Sequence, residues 1–351
     1  MKGFVTLKNG ATFQGQIGNK NQKEVTGNIV FYTGMTGYEE IITHPSFHGQ
    51  IVVFTSPLIG TCGWRGPDVE ERRVKPAGIV VHETVTEAYH AEARETFLEA
   101  IEKASIPMIT GVDTRALVRT IREQGETEAH IGFTSTFTSK DEEKTEDFIE
   151  EISVTKPVAF GESGPHIVMI DFGYTSAVVE KLVEHGHRVT IVPYHYTKQQ
   201  IQQLAPDVIF FSNGPGNPLQ LAPFFETYQQ VAKAFPTFGM GLGHQVIALS
   251  FGAKTEKMHV GHHGMNQPVL CTTTNRVMMT KQHHSYQVIE ESIPTFFHVQ
   301  YRNINDRSIE GLSHETFPVR TVQFELNADS EHVFLECLDD LKKRGREKTY
   351  A

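Results

Sequence analysis

The chain has 351 residues, of which 39 % are apolar and 21 % charged; these proportions exclude a disordered or fibrous protein and suit two domains with ordinary cores. A formal charge of -10, from 42 acidic against 32 basic side chains, argues against a nucleic-acid or membrane surface and for a small-molecule or protein partner. Three widely spaced cysteines, Cys62, Cys271 and Cys337, form no CxxC pair and read as free thiols of a cytoplasmic protein. Neither a signal peptide nor a membrane-spanning apolar run is expected.

In chain order, short apolar or alternating runs predict strands at 4–7, 11–17, 28–33 and 51–55. Asn9-Gly10 lies between the first two, and an Asn-Gly pair takes the positive φ angles of a tight hairpin turn. A helix is expected at 94–104. A second should begin after Asp113, whose carboxylate can cap the free amides, and end near Gly125, a residue suited to a left-handed C-cap. This first region, 1–150, reads as a mixed α+β domain. The stretch 151–165, with Lys156-Pro157 and Gly161-Glu162-Ser163-Gly164-Pro165, reads as a linker, and the acidic approach to it has room for one short helix.

From 166 to 351 the rhythm changes to strands at 166–172, 188–193, 207–212 and 237–240 alternating with helices at 177–184, 198–204, 223–234 and 242–251. That alternation predicts an α/β domain with a doubly wound, mostly parallel sheet, and a site at the carboxyl ends of its strands. Further strands are expected near Arg276, Phe296 and Val319, and a final amphipathic helix at 330–344.

Phe238-Gly239-Met240-Gly241-Leu242-Gly243-His244-Gln245 has the layout of a nucleophile elbow: strand, glycine-rich turn, helix. Gly239 and Gly243 allow strand and helix to approach closely, and a cysteine at the tip would have its thiolate stabilised by the helix amides. The tip here is Gly241. The segment resembles the Gly-x-Cys-Leu-Gly-His-Gln elbow of class I glutamine amidotransferases without its cysteine. Ser212-Asn213-Gly214-Pro215-Gly216-Asn217-Pro218 resembles the loop that in this family positions glutamine and donates an oxyanion-hole amide. In the first region, Met35-Thr36-Gly37-Tyr38-Glu39-Glu40-Ile41, His44-Pro45-Ser46-Phe47, Pro57-Leu58-Ile59-Gly60 and Gly111-Val112-Asp113-Thr114-Arg115-Ala116-Leu117 are similar to the small chain of carbamoyl phosphate synthase. Ile170-Asp171-Phe172-Gly173 also matches that family, so the resemblance runs over nearly the whole length.

The family's second signature, Gln-Phe-His-Pro-Glu, supplies a general base and the residue that orients it. Here it reads Gln323-Phe324-Glu325-Leu326-Asn327, so the triad positions carry Gly241, Glu325 and Asn327 and none of the three family residues remains. By resemblance, the glutamine contacts fall on Ser46, Gly214, Gly216, Leu242 and Gln245, with His283, Ser285 and Tyr286 in a segment that departs from the family's Gln-Asn-His-Gly-aromatic. The histidines at 259, 262 and 263 and at 283 and 284 invite a metal reading. Adjacent strand residues point to opposite faces and the spacing fits no closed site, so no metal is expected.

In the family this chain hydrolyses glutamine and passes ammonia to a large subunit that uses ATP and Mg. The resemblance therefore implies a partner large chain, no cofactor in this chain, and a glutaminase lost or strongly impaired, leaving an ammonia-dependent complex. Two other readings stay open: an active glutaminase with a substitute nucleophile, for which Cys62 and Cys271 are the candidates, and a non-catalytic metabolite-binding module. Arginine and pyrimidine synthesis are both compatible with the sequence.

Overall fold

The computed structural model describes residues 1–18, 22–65, 74–139 and 147–349. It forms two compact units, one of Met1–Phe148 with Met258–Gly264, the other of Ile149–Lys257 with Met265–Ala351.

The first unit contains β1 (Lys2–Leu7), β2 (Thr12–Ile17), β3 (Val25–Tyr32), α1 (Tyr38–Thr43), β4 (Ile51–Phe54), β5 (Leu58–Ile59), β6 (Gly78–Val80), β7 (Glu83–Thr84), α2 (Phe97–Lys103), β8 (Met108–Thr110), α3 (Thr114–Gln124) and β9 (Glu128–Gly132). Among the described residues, a barrel closes in the order β1-β2-β8-β6-β4-β3-β9, while β5 and β7 pair separately. The β1–β2 pair is antiparallel around the expected Asn9-Gly10 turn, where Gly10 takes φ +92°. Strands β3, β4, β6 and β8 run parallel to one another. All four therefore release the chain at the same end of the barrel.

Two helices of this unit illustrate how capping sets boundaries. Helix α2 starts at Phe97, later than the pattern predicts, because Thr96 accepts from the Glu99 amide and Glu99 reaches back to the Thr96 amide in a capping box. Helix α3 begins where expected, with Asp113 Oδ1 accepting from the Ala116 amide at 2.9 Å. It ends at Gly125, but with φ 88° and ψ 166°, so the chain leaves by an extended turn and not the left-handed cap expected. The buried stripe Leu117, Val118 and Ile121 joins the barrel core with Val5, Ile29, Val53 and Ile131. Fully burying such aliphatic side chains contributes about 1.5–3 kcal/mol each.

Residues 258–264 complete this unit, a membership the sequence pattern did not suggest. The Glu126 amide donates to the His259 carbonyl at 2.8 Å, and Glu126 Oε1 accepts from the Gly261 amide at 2.7 Å and lies 3.1 Å from His263 Nε2. Both side chains of that pair are almost wholly buried.

The second unit follows α4 (Phe148–Ile152) with β10 (Val158–Phe160), β11 (His166–Asp171), α5 (Ser176–Glu184), β12 (Arg188–Pro193), α6 (Lys198–Gln203), β13 (Val208–Phe211), α7 (Phe225–Ala234), β14 (Thr237–Met240) and α8 (Leu242–Ser250). Then come β15 (Thr255–Cys271), β16 (Arg276–Val288), β17 (Phe297–Asn303), β18 (Ile309–His314), β19 (Val319–Val322) and α9 (Glu331–Thr349). Among the described residues they build a ten-stranded sheet ordered β10-β12-β11-β13-β14-β19-β18-β17-β15-β16. The stretch β12-β11-β13-β14-β19 is parallel and carries the expected α/β alternation. Its central strands are largely apolar and covered on both faces: His166–Asp171 and Val208–Phe211 are buried at every position.

The structure corrects three expectations here. Part of the predicted linker, Val158–Phe160, is a strand paired antiparallel to β12, and the acidic residues 140–146 lie outside the described residues. Helix α7 is preceded by a 3-10 segment, Pro218–Phe224, since Asn217 caps it and prolines at 218 and 223 withhold two amides. The long strand β15 and the strand β18 were not anticipated; both mix polar and apolar residues without a clean period of two.

Candidate active site

Strands β13, β14 and β19 end side by side, and the chain leaving each contributes one piece of the site. After β13 comes Ser212-Asn213-Gly214, after β14 the turn at Gly241, and after β19 the segment 323–327. Gly241 has φ 58° and ψ -115°, the strained geometry that a nucleophile elbow imposes on its tip. Its amide donates to the Val322 carbonyl at 2.9 Å, which ties the turn to β19. The neighbouring glycines are required by close approach: a Cβ at Gly243 would lie 2.8 Å from Phe211 Cβ, and one at Gly239 2.8 Å from the Gly243 carbonyl oxygen.

What fills the space beside Gly241 is Asn213. A Cβ added at 241 would stand 3.0 Å from Asn213 Cβ and closer still to its carboxamide. Asn213 Oδ1 accepts from the Leu242 amide at 3.0 Å and from the Gly214 amide at 2.8 Å. Two backbone donors converging on one oxygen at these distances have the geometry of an oxyanion hole. Here the oxygen they hold belongs to the protein.

Glu325, at the position of the family's general base, is buried and bound on both oxygens. Oε1 accepts from Asn213 Nδ2 at 2.5 Å and Oε2 lies 3.2 Å from Lys281 Nζ, with both partners of the ion pair nearly excluded from solvent. The Glu325 amide also donates to the Lys281 carbonyl at 2.8 Å, so backbone pairing fixes the contact. Asn327 turns away to another task. Its Oδ1 accepts from the amides of Asp329 and Ser330, its Nδ2 donates to the Met279 carbonyl, and its carbonyl receives the Glu331 amide at the start of α9. Asn327 therefore caps a helix.

The other named positions are distributed as follows. Gln245 donates to the Tyr286 carbonyl and to Gln323 Oε1, both at 2.8 Å, which anchors the 285–286 segment to α8. His283, on β16, has a ring nitrogen within 4.8 Å of a Glu325 oxygen. Ser285 and Tyr286 are half-buried at the end of the same strand. Gly214 and Gly216 sit in the loop after β13; Gly216 takes φ 83°, and a Cβ at Gly214 would come within 2.9 Å of the Phe172 carbonyl carbon. Ser46 belongs to the first unit, on a single 3-10 turn, Pro45–Phe47, with its amide donating to His44 Nδ1 at 3.2 Å.

His244 follows the elbow but is no substitute base. It is fully buried, its Nδ1 is 2.7 Å from Thr321 Oγ1, and burial pushes its pKa down to about 3, so it stays neutral. The cysteines lie off the elbow. Cys62 is half-buried in the first unit with its amide on the Tyr38 hydroxyl. Cys271 closes β15; burial opposes its thiolate, but hydrogen bonds from Thr273 and Thr274 outweigh this and hold the thiol below its ordinary range. Cys337 is buried on α9, and burial pushes its thiol up.

Two participants escaped the sequence reading. Asn213 lies within the loop motif, but its reach to residue 241 follows from β13 and β14 being neighbours. Lys281 carries no motif; only its pairing opposite Glu325 reveals it.

Comparison with known proteins gives the family. Residues 5–131 match the family described as carbamoyl-phosphate synthase small chain, CPSase domain, and residues 168–330 match glutamine amidotransferase class-I. A carbamoyl phosphate synthase arginine-specific small chain of Halalkalibacterium halodurans is 43 % identical, over 100 % of both chains. One of the same name from Bacillus subtilis is 40 % identical, again over 100 % of both. A carbamoyl phosphate synthase small chain of Archaeoglobus fulgidus is 37 % identical over 92 % of this chain and 93 % of its own. Fold, motifs and full-length identity agree: this chain belongs to the carbamoyl phosphate synthase small-chain family, with a class I glutamine amidotransferase domain as its second unit.

Proposed function

We propose that this chain is a small subunit without glutaminase activity, serving a carbamoyl phosphate synthase that takes free ammonia. The observation that carries the proposal is the occupied hole: no thiol stands at 241, and the amides of Leu242 and Gly214 already bind Asn213 Oδ1. Glutamine hydrolysis needs a nucleophile to attack the side-chain carbonyl, a base to take its proton and donors for the oxyanion. Glu325 is held by Lys281 and Asn213, and with no nucleophile it has no proton to accept. In a serine protease triad, loss of the nucleophile alone lowers kcat by about 10^6.

Under this reading the chain binds the large subunit, where ATP and Mg act, and supplies structure. The names of the two arginine-specific relatives support placing the product in arginine synthesis. The test is carbamoyl phosphate formation by the reconstituted complex, with glutamine or ammonium as nitrogen donor. Ammonium alone should support turnover, while the two chains co-purify. Glutamine-supported turnover that requires this chain would overturn the proposal and direct attention to Cys62 and Cys271.

A further inference from the structure

The carboxyl ends of the parallel barrel strands surround a cleft of about 780 Å³ in the first unit. Thr33 follows β3, Thr55 follows β4, His82 follows β6 by two residues, and the turn after β8 leads into α3. Helix α3 then lays Arg115, Arg119 and Arg122 along the cleft, at i, i+4 and i+7, on one face of the helix. A concave site of this size, walled by one unit and built at strand ends, is of the kind that takes a small molecule.

Its charges are unevenly matched. Of the two carboxylates in the lining, Asp113 caps α3 through Oδ1 and Glu123 pairs with Arg119 at 2.9 Å. Arg115 makes no ion pair among the described residues, and Arg122 lies 5.2 Å over the ring of Phe31. Two guanidiniums thus face the cleft without a carboxylate of their own. His82 Nδ1 is 2.9 Å from the Val112 carbonyl oxygen, which assigns a proton to Nδ1 and turns Nε2 to its other side. Two planar cationic forks with hydroxyls beside them suit a dianion with several acceptor oxygens better than a single carboxylate. Pro57 and Val118 supply an apolar wall for the body of such a ligand.

We propose that this cleft binds a small phosphorylated metabolite, with Arg115 and Arg122 holding the phosphate and His82, Thr33 and Thr55 lining its surroundings. The site is separate from the elbow and independent of whether glutamine is hydrolysed.

The experiment is calorimetric titration of the full chain with inorganic phosphate and with adenosine monophosphate. Saturable binding is expected, tighter for the nucleotide. Both arginines are exposed, so Arg115→Ala with Arg122→Ala should keep the native thermal transition and weaken binding at least about tenfold. The double lysine variant, which keeps the charge, should lose less and so guards against a misfolded alanine variant. Absence of binding to either probe, or unchanged affinity in the alanine variant, overturns the proposal. So does a variant that loses only its association with the large subunit, which would make the cleft a protein-docking surface.

Discussion

The turn at 239–243 and the segment 323–327 leave neighbouring parallel strands, yet they are held in place in different ways. At the turn the backbone demand survives intact: positive φ at 241, small residues on either side, a helix beginning at 242. Glycine adopts this positive φ more readily than a residue with a Cβ would. At 323–327 it is the side chains that have structural partners. Glu325 is buried with Lys281, and Asn327 caps α9. Glycine can stand alone, whereas a buried carboxylate has to be compensated, because an unpaired charge in a dry interior costs several kcal/mol. The backbone alone sets the geometry at 241, whereas at 325 the side chain depends on its partners.

The sharpest way to break this contrast is at the ion pair. Lys281→Met should cost about 3–5 kcal/mol in urea unfolding by leaving Glu325 buried without its cation, and Lys281→Met with Glu325→Leu should recover most of it. A loss below about 1 kcal/mol for the single change would mean that Lys281 is not what compensates the buried Glu325. At the turn, Gly241→Cys should cost about 1–3 kcal/mol, from positive φ and displacement of Asn213. It should release no ammonia from glutamine, since the base position still holds Glu325; measurable hydrolysis by this variant would show that the elbow alone carries the chemistry. The smallest effect is expected for Asn327→Ala, about 1 kcal/mol in the same unfolding measurement from the lost helix cap. A change to ammonium-supported turnover there would indicate that 327 still serves the reaction.

The elbow was legible because its evidence is local: three glycines alternating across a strand-to-helix junction state a steric requirement in five residues. The α3 cap and the parallel α/β run were legible for the same reason, since Asp113 and the apolar strands act on their own neighbours. Asn213 in the oxyanion hole and Lys281 against Glu325 were not, because each depends on segments distant in sequence that the fold brings together: Asn213 is 29 residues from Leu242, whose amide it binds, and Lys281 meets Glu325 through an isolated bridge. Strand β15 was missed because its histidines, lysines and glycines break any simple alternation. Capping also shifted α2 by a few residues against its apolar pattern, as the Thr96 box overrode the run before it.

The excursion of Met258–Gly264 into the first unit has a bearing on how the protein is made. A ribosome delivers Met1–Phe148 first, but the partners of buried Glu126 emerge only after Ile149–Lys257 have been synthesised. The first unit therefore cannot reach its final form until residues 258–264 have been synthesised. A nascent chain released at the interdomain boundary would carry a carboxylate in its interior with neither the Gly261 amide nor the His263 ring to meet it.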